Sequence, residues 1–246
     1  MIDTHAHLDA LDDPAGAIAR AREAGVTRIV TVGTDPDSWA RALGLTEQHD
    51  GVYAVLGLHP HESGANVDLD QLPSLLARPK AVGLGEIGLD YYRDYAPREA
   101  QSKAFVYQLM LAKQASLPVV IHNRAADEDT VSILGQWFDG TVILHCFSSV
   151  PLLAEALDRG WYVSFAGNVT YKNAGGLREA ARAVPPERIL AETDCPYLAP
   201  QPVRGKTSEP AHVVHTVAAL AEARGEDADE LGLRIDANAA AAFGLP

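Results

Sequence analysis

The chain has 246 residues, 47% of them hydrophobic, which is enough for one sizeable core and unlike the composition of a disordered chain. No apolar run approaches the ~20 residues of a transmembrane helix. Met1-Ile2-Asp3 enters a strand with no basic and apolar leader ahead of it, so a cytoplasmic location is expected. Lys and Arg total 20 against 33 Asp and Glu, a formal net charge of −13 that argues against a protein coating duplex DNA, while an enzyme gripping one strand end through a local basic pocket stays open.

The first predicted strand, Ile2–His5, runs into Thr4-His5-Ala6-His7. Side chains alternate along a strand, so His5 and His7 share a face and offer two imidazole nitrogens to a divalent metal. A helix over Pro14–Ala24 follows, with proline in its first turn and Gly25 past its end. Strands at Arg28–Val32 and Val52–Leu56 lead to the polar segment Gly57–Asn66, which carries His59 and His61. The fourth strand, Ala81–Gly85, ends at Glu86, and a helix over Pro97–Ala115 begins after a tyrosine-rich loop. Pro118–Ile121 ends at His122, and Val142–Leu144 ends at His145. A helix over Pro151–Arg159 ends at Gly160, strands Trp161–Phe165 and Arg188–Ala191 complete the series, and Asp194 follows the last of them. The segment Tyr197–Pro210 then carries Arg204 and Lys206. Eight strands alternating with helices at this length predict an α/β (β/α)8 TIM barrel as a single domain over 1–246. The polar residues collect at C-terminal strand ends, where barrel active sites lie.

Two superficial motifs lead nowhere. Gly83-Leu84-Gly85-Glu86-Ile87-Gly88 matches the dinucleotide pattern but continues as loop rather than opening a helix. Gly205-Lys206-Thr207 resembles the end of a phosphate loop, but Pro200 stands where that loop needs glycine. Cys146 and Cys195 are expected to be buried reduced thiols. Imidazoles and carboxylates without thiolate suit two divalent ions, from Mg, Mn, Zn, Ni or Co. Glu86 is the expected bridge between them. Lys80, which a carboxylated-lysine bridge would need, sits at the wrong end of its strand.

In order, DTHAHLD (Asp3–Asp9), GLHPH (Gly57–His61), GEIGLDYYRD (Gly85–Asp94), IHNR (Ile121–Arg124), LHCFS (Leu144–Ser148), ETDCPYLAP (Glu192–Pro200) and RGK…EPAH (Arg204–His212) resemble the TatD family of metal-dependent deoxyribonucleases, within the amidohydrolase-like barrels. The resemblance covers essentially the whole chain. It departs at Ser149, often glycine in the family, and at Ser208, often asparagine. It implies that His5, His7, Glu86 and Asp194 hold one metal and that Glu86, His122 and His145 hold the second. His59, Arg93, Arg204 and Lys206 would contact or position phosphate, with His61 nearby, and Glu192 would orient neighbours or help a further metal. The implied reaction is phosphodiester hydrolysis by water activated between the two metals, with Asp194 and Glu86 as the catalytic carboxylates. The implied substrate is a single-stranded DNA end or RNA, held transiently, with no membrane and no obligate protein partner. Ester or amide hydrolysis on the same barrel, such as aminoacyl-tRNA deacylation, is the alternative, since fold does not fix chemistry.

Overall fold

The structure is a computed structural model and describes residues 1–65 and 67–246; Asn66, the last residue of the predicted loop Gly57–Asn66, lies outside the described residues. Eight parallel strands follow one another in chain order through one sheet, the topology of the predicted (β/α)8 barrel. The chain's internal contacts gather in two compact units, one formed by Met1–Thr31 with Cys146–Pro246 and the other by Val32–His145.

The Val32–His145 unit contains β3 (Val52–Leu56), β4 (Ala81–Asp90), β5 (Val119–Arg124) and β6 (Val142–Leu144). It also contains helices α2 (Pro36–Gln48), α3 (Leu72–Leu76), α4 (Arg98–Ala115) and α5 (Asp127–Trp137). All ten residues of β4 are buried, because a parallel strand is covered on both faces. α2 starts where Asp35 and Ser38 cap each other reciprocally and Pro36 fills the first turn. Leu56, Leu84, Ile87, Leu89 and Phe105 are fully enclosed at the centre of the unit.

The other unit holds β1 (Ile2–Ala6), most of β2 (Arg28–Gly33), β7 (Tyr162–Phe165) and β8 (Ile189–Ala191). Its helices are α1 (Pro14–Glu23), α6 (Leu153–Asp158), α7 (Gly175–Ala183), α8 (Val213–Arg224) and α9 (Ala228–Phe243). β1 lies beside the end of β8: His7 N donates to Cys195 O at 2.8 Å and Asp194 N to His5 O at 2.9 Å. No helix among the described residues is long and apolar enough to cross a membrane.

Several boundaries move from the sequence expectation. β4 continues through Glu86 to Asp90 and β5 through His122 to Arg124, so those two ligand candidates lie inside strands rather than past their ends. Pro97 precedes α4 as its cap residue, and Pro151 belongs to a 3-10 turn ahead of α6. Cys195 is buried as expected, but Cys146, in the left-handed region at φ +44°, is only half-buried.

Candidate metal centre

In the Val32–His145 unit the candidate residues meet at Glu86. Its Oε1 lies 2.6 Å from His122 Nδ1, 2.8 Å from His145 Nε2 and 3.4 Å from His59 Nε2. Three imidazoles, His122 within β5 and His59 and His145 after β3 and β6, thus converge on one buried carboxylate oxygen. The donor atoms of Glu86, His122 and His145 all lie within 4.8 Å of one another, and so do those of His59, His61 and His122. The first set mixes nitrogen with oxygen and the second offers nitrogen alone, and both suit a borderline divalent cation.

Asp90 belongs to this cluster, although nothing in the sequence reading singled it out. Its Oδ2 lies 2.8 Å from His61 Nε2 and 3.1 Å from His122 Nε2, and its Oδ1 accepts the Tyr92 and Arg93 N–H groups at 3.0 and 2.8 Å. The signal was period two from Glu86: residues 86, 88 and 90 of a strand share a face. Between the carboxylates stands Gly88, with φ +137°, where a Cβ would fall 2.0 Å from the His122 carbonyl oxygen. Only glycine lets β4 present both carboxylates against β5.

The electrostatics follow from burial and close pairing. Burial alone would raise the Glu86 pKa, but His145, His59 and the His122 hydrogen bond hold it well below the ordinary carboxylate range. Burial lowers His59 to about 4, so its imidazole is neutral at pH 7. Burial opposes protonation of His122 as well, but hydrogen bonds to Asp90 and Glu86 raise its pKa overall. Asp90 is held low against its own burial, first by His122.

In the Met1–Thr31 and Cys146–Pro246 unit a second group forms around Asp194. His7 Nε2 lies 3.4 Å and His5 Nε2 3.9 Å from Asp194 Oδ1, and the two rings meet edge-on at 5.1 Å. Asp3 ties the start of β1 to the chain after β8. Its Oδ1 accepts Thr193 N at 2.9 Å and His5 N at 3.3 Å, and its Oδ2 accepts Thr193 Oγ1 at 2.6 Å. Burial raises the Asp3 pKa to about 8 against these donors. Glu192 is buried and accepts Cys146 N at 2.7 Å and Ser164 Oγ at 2.5 Å, so it fixes the residue that follows His145.

The candidate phosphate contacts are placed differently. His59 and His61 join the Glu86 cluster. Arg93 meets it through its backbone N–H to Asp90, while its guanidinium lies 5.9 Å from the Tyr92 ring centroid. The Arg204 guanidinium stacks 3.9 Å from the Tyr171 ring centroid, and Lys206 is exposed on the same loop.

A sequence model of the family described as TatD related DNase matches residues 2–244. The chain is 39% identical over 251 residues to an uncharacterized metal-dependent hydrolase, YabD, of Bacillus subtilis, covering 99% of this chain and 98% of that one. It is 36% identical over 243 residues to the 3′-5′ ssDNA/RNA exonuclease TatD of Shigella flexneri, covering 95% and 94%. Among solved structures, the TatD homolog YjjV of Escherichia coli superposes with a TM-score of 0.93 at 33% identity, over 100% of this chain and 98% of that one.

Proposed function

Since the chain belongs to the TatD related DNase family and is a metal-dependent hydrolase, we propose that it is an exonuclease removing nucleotides from single-stranded DNA ends, and from RNA, in the 3′-to-5′ direction. The observation that carries this reading is the convergence of three imidazole nitrogens on one Glu86 oxygen within 3.4 Å. It is a donor set for a cation, and single-stranded DNA and RNA are the substrates named for the Shigella relative.

Glu86, His122 and His145 would hold one divalent ion, and His5, His7 and Asp194 would supply ligands to another, within one family domain over 1–246. Such ions, when bound, lower the pKa of water and polarise a phosphoryl oxygen. The chain's own groups do the rest. Asp194 accepts the proton of the attacking water. Asp90 holds His122 and His61 by their Nε2 atoms, which fixes the ring orientation of a ligand. His59, neutral at pH 7, offers a hydrogen bond to a phosphate oxygen, and Arg93, Arg204 and Lys206 neutralise the charge that develops there.

The test is cleavage of end-labelled single-stranded DNA by metal-stripped protein reloaded with Mg, Mn or Zn. A metal-dependent ladder growing from the 3′ end is expected. No cleavage with any metal, together with turnover of an aminoacyl ester, would replace this reading with ester hydrolysis.

A further inference from the structure

The connection between β4 and α4 carries two rings that are each 66% exposed, Tyr92 and Tyr95. The first already has a partner, since the Arg124 guanidinium stacks on it at 4.1 Å. Tyr95 meets the His61 ring edge-on, with centroids 4.8 Å apart and planes 72° apart, and most of its surface stays open to solvent. A ring with two-thirds of its surface open contributes little by burial and leaves room for a flat partner.

The loop that carries it is nonetheless built. Gln101 is fully buried; its Nε2 donates to Asp90 O at 3.2 Å and Ala96 O at 2.9 Å, and its Oε1 accepts Asp90 N at 2.8 Å. One glutamine therefore brackets the segment 91–95 at both ends. At its start, Asp90 Oδ1 holds two further N–H groups while Oδ2 engages His61 and His122. The carboxylate that orients the histidine cluster also fixes the loop presenting Tyr95. An exposed aromatic face held in place beforehand loses little entropy when a flat partner settles on it.

We propose that Tyr95 is the stacking platform for the nucleobase adjoining the phosphodiester to be cut. This rests on the nuclease reading above and adds to it a subsite that takes any base, because every base has a π-face. Stacking of this kind is worth roughly fivefold to a hundredfold in affinity per base. A nucleic acid fits the platform better than a protein partner does, because the ring adjoins the histidine cluster rather than a broad apolar surface.

The test uses the full-length, metal-loaded protein and two otherwise identical oligonucleotides, one ordinary and one with abasic tetrahydrofuran at both terminal nucleotides, scored on the first cleavage only. Tyr95→Ala should lower kcat/KM on the ordinary strand about tenfold, mostly through KM. It should leave the already slow abasic strand unchanged. Tyr95→Phe should restore the rate on the ordinary strand. Tyr107→Ala, which removes another exposed tyrosine, one bonded to Asp70, should change neither rate. An equal loss on both strands, or no loss on either, would overturn the platform while leaving the nuclease standing. Failure of the wild type to cut either strand would overturn the nuclease reading, and the platform with it.

Discussion

Buried carboxylates divide the work at the scale of single residues. Two of them, Asp3 and Asp90, lead to opposite expectations, since burial raises the first while histidine partners hold the second low. Asp3 is raised to about 8, above its unfolded value of 3.8. Its neutral form therefore contributes stability that is fully present below about pH 3.8 and is lost as pH rises through 8. In metal-free protein, the stability of Asp3→Asn relative to wild type should thus climb between pH 4 and 8, read as urea midpoints across that range. A flat difference would mean that the three donors around Asp3 hold it ionised throughout. Asp90 instead acts through His122 and His61. Asp90→Ala should weaken metal retention by about 10- to 100-fold in a chelator competition, with Asp90→Asn recovering part of it; unchanged retention in both would remove Asp90 from the site. The sequence singled out His5, His7, His122, His145 and Asp194 as candidates because they recur at predicted strand ends, where a barrel places its active site. Asp90 was hidden by its setting among tyrosines and arginine, where a loop acid is ordinary.

β4 sets the geometry at the scale of elements. The predicted strand stopped at Gly85, because Gly-Glu-Ile-Gly breaks an apolar run and glycine weakens a strand. In the folded chain the strand continues for five more residues, to Asp90. Its glycines are where the neighbouring backbone comes close: a Cβ on Gly85 would lie 2.7 Å from Val120 atoms, and one on Gly88 closer still to His122. Periodicity alone shows none of this, since the contact is between strands far apart in sequence. Gly88→Ala should therefore destabilise the protein by more than about 3 kcal/mol in urea unfolding and should displace His122. A variant of wild-type stability would mean that β4 and β5 can separate without cost. The strands β3 and β6, by contrast, were legible to the residue, because short apolar runs flanked by polar loops have few alternative readings.

For the whole molecule, the family likeness over residues 2–244 and the net charge of −13 bear on the same question. An acidic surface offers a long duplex little to rest on, whereas on the proposed reading a strand end would need only a few cations, for which Arg93, Arg204 and Lys206 are the candidates. Single-stranded ends should be cut much faster than closed circular duplex at equal nucleotide concentration; equal, salt-sensitive cutting of both would contradict that. The central proposal is that Glu86 is a ligand of the metal centre it forms with His122 and His145. Its most direct test is metal content by mass spectrometry, with exonuclease rate measured on the same samples, for wild type and Glu86→Ala. The account predicts two ions per wild-type chain, loss of metal in the variant, and a rate at least about a thousandfold lower, or ~4 kcal/mol of transition-state stabilisation. A Glu86→Ala protein that kept both ions and turned over at the wild-type rate would contradict it.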